Sequence, residues 1–241
     1  MRALSSLLIS VVLAIPAGSA SAQPTPTAGS TVADVRSTLT AARAEIDAFL
    51  AAGGKDGASD HPAVKWHSTL WAYRERNPGT EAAAVATAEA IQLLLRAELS
   101  DQAHAKADSL SADDLAWVRL SAYLYYEASW RKNYSYLDNR LSDVSARTKD
   151  ATVKSAALVA LGRAYRRQGD MPLAVRTLES ARAAAPESAP ANEADGLLYD
   201  IAHLSLGLQA PAFSGTTPDG RTVTLDSLRG KAVALVFWAS T

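Results

Sequence analysis

Residues 155–188 read SAALVALGRAYRRQGDMPLAVRTLESARAAAPES, which is the strongest fold signal in the chain. Gly169-Asp170 separates two apolar runs of helical period, because glycine readily ends one helix and aspartate caps the next. Pro186 ends the second run. Gly162 and Ala174 are small enough to let the two helices approach closely, and Leu161, Tyr165 and Leu178 fill the space between them. The stretch therefore predicts a helical hairpin.

The offsets of these residues resemble those of a tetratricopeptide repeat, whose motif is about 34 residues long. A single repeat cannot bury both of its faces, so its neighbours must stack on it. Residues 31–150 are helical in pattern but match the repeat poorly, so the resemblance implies only degenerate repeats there. An array of this kind offers a surface for a peptide or protein partner.

The segments on either side of the hairpin also have helical period. Ser30 or Thr31 is predicted to cap a first helix that stops at Gly53-Gly54, and Pro62 suits the first turn of a second. Further helices are predicted from Thr80 to Leu95, after a capping box of Ser111 and Asp114 ahead of Leu115, and near 135–146, 150–168, 170–185 and 191–206. The fold class that we predict is mainly α, an antiparallel helical array over residues 31–206.

Composition and charge exclude several classes of protein. The chain has 241 residues, of which 48% are hydrophobic, 20% are charged and none is cysteine. These values are typical of a folded protein and exclude a disordered, collagen-like or disulfide-stapled chain. Lys and Arg number 24 against 25 Asp and Glu, for a net charge of -1. We therefore expect no nucleic-acid partner, since such domains are clearly basic.

The N-terminal residues predict export. Arg2 precedes the apolar stretch Leu4–Ile15, and Ala20-Ser21-Ala22 is a small-residue cleavage site. Residues 1–22 are therefore interpreted as a signal peptide, with an uncleaved anchor as the alternative. A Pro/Thr-rich linker, 23–30, follows. We expect a periplasmic protein without a stable membrane anchor after cleavage.

Side chains within the predicted array suggest partner binding more than chemistry. Eight aromatic residues are either partner anchors or fillers of an alanine-rich core: Trp66, Trp71, Tyr73, Trp117, Tyr123, Tyr125, Tyr126 and Trp130. The basic run Arg163, Arg166 and Arg167 is interpreted as a solvated face. His61, His67, His104 and His203 lack metal-ligand spacing, and Asp113-Asp114 is typical of helix capping. We predict no catalytic residue, no cofactor and no metal.

The pattern changes after Leu206 from helical period to strands and turns. Thr217-Pro218-Asp219-Gly220 is a strong turn signal, and residues 221–225 alternate polar and apolar. Residues 226–230 predict one short helical turn ended by glycine. Residues 232–239 form an unbroken apolar run, which is typical of a strand buried on both faces of a sheet.

These residues resemble the start of a redoxin domain. The motifs are Gly207-x-x-Ala210-Pro211-x-Phe213, Asp219-Gly220-x-x-Val223-x-Leu225, Leu228-x-Gly230-Lys231 and Val236-Phe237-Trp238-Ala239, in the family's order. Redoxin domains are the thioredoxin-like domains of TlpA-type thiol-disulfide oxidoreductases and of the alkyl hydroperoxide reductase/thiol-specific antioxidant group. The resemblance covers residues 207–241 and is closest to the TlpA type.

The resemblance implies a catalytic Cys-x-x-Cys directly after Thr241, followed by the rest of a thioredoxin-like fold. The chain therefore looks like a redoxin protein cut ahead of its cysteines. We expect the parent protein to be an exported thiol-disulfide oxidoreductase or antioxidant, acting on a disulfide-containing protein substrate or partner. The chain as given has no cysteine and should be inactive. The alternative is a non-enzymatic helical-repeat scaffold.

Overall fold

The structure is a computed structural model that describes residues 26–234 and 236. The predicted signal peptide, residues 1–22, lies outside the described residues. Within them the protein is mainly α, as predicted, with nine helices and a two-stranded sheet. The helices are α1 (Val32–Ala51), α2 (Pro62–Arg76), α3 (Glu81–Arg96), α4 (Ser100–Asp108), α5 (Trp117–Arg131), α6 (Ser135–Arg147), α7 (Ala151–Gln168), α8 (Met171–Ala184) and α9 (Ala189–His203).

Side-chain caps explain where several helices begin. The Thr31 hydroxyl accepts a hydrogen bond from the Asp34 amide, and the Asp34 carboxylate accepts one from the Thr31 amide. Thr80 caps α3 and Asp150 caps α7, while Pro62 occupies the first turn of α2. These caps satisfy backbone amides that have no partner inside the helix. The predicted starts of α1, α2 and α3 are confirmed.

Three details differ from the sequence-based expectation. The predicted capping box of Ser111 and Asp114 was wrong: α5 begins at Trp117 and has no side-chain cap. The Asp114 carboxylate instead accepts a hydrogen bond from the Ala116 amide, at 2.9 Å, and pairs with Arg74. Helix α4 was not predicted, because its short polar sequence carries only a weak apolar stripe. Helix α9 begins two residues earlier than predicted, with Ser188 as its cap.

The odd-numbered helices form a continuous series, in which α1 contacts α3, α3 contacts α5, α5 contacts α7 and α7 contacts α9. Each also packs on sequence neighbours, as in the pairs α2–α3, α7–α8 and α8–α9. The core follows this order in three clusters, which span α1–α3, α3–α7 and α7–α9. Trp71 and Leu99 pack against both of the first two clusters. Helix α7 thus joins the central core to the C-terminal one.

The residues predicted as a Pro/Thr-rich linker are held in place where the structure describes them. The buried Asn77 side chain accepts hydrogen bonds from the Gly29 and Ser30 amides, at 2.8 and 3.2 Å, and donates one to the Thr27 carbonyl. Arg76 donates to the Pro26 carbonyl at 2.9 Å. Residues 26–30 are therefore fixed to the end of α2.

A small hairpin follows the helices. Strand β1 (Ser214–Thr216) pairs antiparallel with β2 (Thr222–Thr224), and a 3-10 turn (Asp226–Leu228) comes next. The predicted turn at 217–220 joins the strands, and the short helical turn is also confirmed. Of the described residues after Ala194, none is fully buried. Half of the predicted core strand 232–239 lies outside the described residues; of the other half, 232–234 and 236, none is in a strand.

Among the described helices, none combines the length and apolar character that crossing a bilayer requires.

Candidate functional site

Three of the eight predicted aromatic residues fill the core. Trp66, Tyr73 and Trp117 are buried, and each has a polar partner. The Trp66 indole donates to Glu45 at 2.8 Å, the Tyr73 hydroxyl hydrogen-bonds Thr38 at 2.8 Å, and the Trp117 indole donates to the Ser111 carbonyl at 2.9 Å. Buried Trp and Tyr side chains require such partners. For these three residues the core interpretation is correct.

Trp71, Tyr123 and Tyr125 are half-buried and pack against the core from its edge. The Tyr123 hydroxyl donates to Glu89 at 2.7 Å. Burial and this carboxylate raise the pKa of Tyr123 to about 12, so the phenol stays protonated at neutral pH. The Arg163 guanidinium lies 5.6 Å from the Tyr125 ring centre, within cation–π range.

Tyr126 and Trp130 are the remaining two aromatic residues, and both face solvent. They are 60% and 83% exposed and lie one turn apart on α5. A large aromatic side chain gains free energy by leaving water, so exposing two of them side by side is costly for the isolated protein. These two residues fit the alternative interpretation, that of partner anchors.

A cavity of about 550 Å³ lies on one side of this pair and is here called the tryptophan pocket. Helices α3 and α5 form most of its wall, with Leu95, Tyr123, Tyr126 and Trp130 among its lining residues. Charged groups of both signs surround them: Asp56, Arg96, Glu98, Glu127 and Arg131. The pocket therefore combines an apolar surface with charged groups of both signs.

A second cavity, of about 830 Å³, lies on the other side of Tyr126 and is here called the tyrosine–arginine groove. Helices α5 and α7 provide most of its lining. The groove is defined by three tyrosines and four cationic side chains: Tyr125, Tyr126, Tyr134, Lys132, Arg163, Arg166 and Arg167. None of its lining residues is acidic. Tyr126 lines both cavities and forms the ridge between them.

The basic run, which was predicted to be a solvated face, contacts α9 and lines the tyrosine–arginine groove. Arg163 pairs with Glu193 at 2.6 Å, and Arg166 with Asp200 at 3.6 Å, both acids lying on α9. Arg167 is exposed. The run thus forms part of the groove wall as well as the α7–α9 contact.

The histidines have local roles. The His61 Nδ1 accepts a hydrogen bond from the Ala63 amide at 3.1 Å and so caps α2. His67 is buried and stacks on Trp71 at 5.5 Å, and burial together with the charge of Lys106 lowers its pKa to about 4. His104 stacks on Tyr136 and contacts Glu127 at 3.3 Å. In the described residues, no group of three acidic or histidine side chains is arranged to hold a metal ion.

Glu127 is a polar centre that the sequence did not reveal. Its carboxylate accepts a hydrogen bond from Ser100 at 2.9 Å and contacts His104 and Arg131 at 3.3 and 3.1 Å. Burial acts to raise the pKa of Glu127, but the hydrogen bonds of His104 and Ser100 outweigh it and hold the pKa below its usual value. This network connects α4 to α5 beneath the tryptophan pocket.

Asp113 and Asp114 act separately and not as an acid/base pair. The Asp113 carboxylate accepts hydrogen bonds from the Lys149 amide at 2.6 Å and from the Thr148 hydroxyl at 3.0 Å. These bonds lower the pKa of Asp113 and hold the loop before α7. The prediction that Asp113 and Asp114 cap a helix was wrong: α7 is capped by Asp150, α5 has no side-chain cap, and the two aspartates bond to loop and turn amides instead.

Sequence reasoning missed Lys132 and Tyr134 as groove residues. Both lie between α5 and α6, where a turn has no periodicity from which to predict a facing direction. For the α7 side of the groove the sequence did contain a signal: Arg163 and Arg167 are four residues apart and therefore share a helix face.

No family model, curated protein or solved structure matches the chain. The tetratricopeptide-repeat and redoxin resemblances therefore stay predictions.

Proposed function

We propose that the chain is the N-terminal portion of an exported thiol-disulfide oxidoreductase or antioxidant of the redoxin type, and that its helical array binds a protein partner. The redoxin motifs support the first part, because the second (219–225) covers the turn and second strand of the hairpin and the third (228–231) begins at the end of the short helical turn, in the order of the resemblance. A two-stranded hairpin is marginally stable alone and needs further strands to cover it.

The chemistry proposed for the parent protein is thiol-disulfide exchange. A thiolate attacks one sulfur of a substrate disulfide, a mixed disulfide forms and the other substrate sulfur leaves as a thiolate. The second cysteine of Cys-x-x-Cys then displaces the substrate and becomes the disulfide partner of the first. None of the 241 residues is a cysteine, so these residues cannot carry out either step.

The coding sequence past Thr241 tests this proposal. We expect an open frame that continues into Cys-x-x-Cys, and a full-length product that reduces insulin disulfides. The 241-residue chain is the matched control and should show no turnover. A stop codon directly after Thr241, or turnover by the control, would contradict the proposal.

The observation that carries the binding role is the paired exposure of Tyr126 and Trp130 between two cavities. Neither side chain is needed to complete the core, and exposed aromatics are the residue type that anchors protein interfaces. We expect residues 31–206 to retain exported proteins in a pull-down, and Tyr126→Ala with Trp130→Ala to weaken that retention.

Tyr199→Ala is the matched control for this experiment, because Tyr199 is 50% exposed but lies on α9 outside both cavities. It should leave retention unchanged. Equal retention by an unrelated helical protein would show that the binding is nonspecific and would remove support for the proposal.

A non-enzymatic scaffold is the second candidate function. The paired exposure of Tyr126 and Trp130 favours it, since a binding surface on the helical array needs no redoxin domain. A stop codon after Thr241 together with specific retention of a partner would favour this candidate over the redoxin enzyme.

A further inference from the structure

The tyrosine–arginine groove concentrates positive charge on a chain whose net charge is -1. Arg163 and Arg166 are each paired with a carboxylate of α9. Lys132 and Arg167 form no ion pair with any carboxylate in the described part of the chain. Two positive charges therefore remain available to a ligand at the groove.

Lys132 occupies a backbone position that glycine normally fills. It follows α5 with φ 54° and ψ 32°, in the left-handed region, which is costly for a residue with a Cβ. A lysine held there places its charged side chain at the end of α5, where it lines the groove together with Tyr134 and Arg167. A charged residue in a strained backbone position is typical of a functional site.

The rest of the groove suits apolar side chains of a peptide. Tyr126 offers an exposed ring, and Met171 (42% exposed) and Leu197 also line the groove. A cavity of about 830 Å³ lies in the usual size range of small-ligand sites, which suits a short peptide segment. Basic residues beside aromatics also occur at single-strand nucleic-acid sites, but those follow a longer positively charged track than two free cations provide.

We propose that the tyrosine–arginine groove binds an acidic peptide segment, with carboxylates paired to Lys132 and Arg167 and an apolar side chain against Tyr126 and Met171. This proposal rests on the partner-binding function proposed above and names the chemistry of the partner. It does not depend on whether a redoxin domain follows.

Fluorescence anisotropy of the 241-residue chain tests the proposal, with a fluorescein-labelled decapeptide of alternating Glu and Leu as the probe. We expect saturable binding that weakens as salt rises, because the contacts are ionic. The same peptide with Gln in place of Glu should bind at least about tenfold more weakly, since it keeps the shape and loses the charge.

Lys132→Gly with Arg167→Gln is the decisive variant. Glycine relieves the left-handed backbone at 132, so the variant should fold at least as well as the parent chain. Its affinity for the Glu/Leu peptide should fall about tenfold. Arg36→Gln with Arg43→Gln removes the same charge from exposed positions on α1 and should leave the affinity unchanged.

Two results would overturn the proposal. One is equal affinity for the Glu and Gln peptides, or for the parent chain and the Lys132/Arg167 variant. The other is binding to phosphatidylglycerol vesicles without binding to the peptide, which would assign the groove to a membrane surface. Loss of partner retention in the Tyr126/Trp130 variant, with no peptide binding at the groove, would leave the binding function standing and refute this inference alone.

Discussion

Gly162 on α7 packs closely against α8. A Cβ built on Gly162 would lie 2.7 Å from Cγ and Cδ2 of Leu178, a side chain that is fully buried. Contacts that short do not occur without movement, and a packed core resists movement. The glycine is therefore required by the packing of the helical hairpin and not by its backbone angles.

Gly162→Ala should destabilise the protein by about 1–3 kcal/mol, since overpacking exceeds the gain in helix propensity. Gly196→Ala is the matched control, because Gly196 is also helical, on α9, and a Cβ there meets nothing within 4 Å. That control should stabilise by about 0.5–1 kcal/mol. Urea unfolding midpoints measure both, and the same sign for the two variants would show that Leu178 moves aside freely.

His67 should make stability depend on pH. Its pKa is about 4 in the folded protein, below the ordinary value of 6.5, so the unfolded chain binds the proton first as pH falls. The contribution of neutral, buried His67 to the free energy of unfolding should therefore be fully present above pH 6.5. It should be lost as pH falls to about 4, by at most about 3 kcal/mol.

His67→Phe keeps a ring against Trp71 and removes the titration, so urea midpoints should change less between pH 7.5 and pH 5. His203→Phe, at the exposed end of α9, should retain the full pH dependence. If the urea midpoint of the His67→Phe chain changed with pH as much as that of the parent chain, groups other than His67 would cause the pH dependence.

Helix α9 and the hairpin after it differ in what they cover. Residues of α9 pack on the cluster of Val159, Leu178 and Ala181, whereas no described residue of the hairpin is buried. Burial of apolar area is the main source of stability, so the two segments should contribute very differently.

A chain ending at residue 206 should therefore have the same thermal midpoint as the 241-residue chain. Ending the chain at residue 188 instead removes α9 and should cost about 2 kcal/mol or more, because the cluster beneath it becomes exposed. Circular dichroism melts distinguish the two. A clear loss on removing 207–241 alone would show that this segment packs against the array.

The molecule as a whole is a linear series of helix contacts. Helix α3 has extensive contacts with α1, α2, α4 and α5, while the extensive contacts of α9 are with α7 and α8. In such a series each element is stabilised by its neighbours, so a terminal helix opens more easily than a central one.

Native-state hydrogen exchange should follow this order, with amides in α3 protected at least about tenfold better than those in the second half of α9. A low concentration of denaturant should lower the protection of the α3 amides, because they exchange through global unfolding. The protection of the α9 amides should change little. Uniform protection from α1 to α9 would mean that the array unfolds as a single cooperative unit.

Local chemistry made much of the fold readable from the chain. The signals that predicted the helices each act over a few consecutive residues, so a sequence pattern is enough to detect them. They are the apolar residues at helical spacing, the caps Thr31 and Thr80, Pro62 in a first turn, and Gly169-Asp170 between α7 and α8. Helix α4 was missed because its apolar stripe is weak. Ser111 was misassigned because polar residues near a helix start have several competing partners.

The candidate site depends on distant residues and could not be read in the same way. The helices packed around Trp66 and Trp130 decide that the first is buried and the second exposed. The net charge of the chain is a sum over all residues, so it does not show that Lys132 and Arg167 line the same groove. Helical period and caps are properties of neighbouring residues, whereas exposure and clustering arise only when α5, α7 and α9 pack. The amino-acid sequence therefore specifies the helices locally, and the packing of the helices specifies the groove.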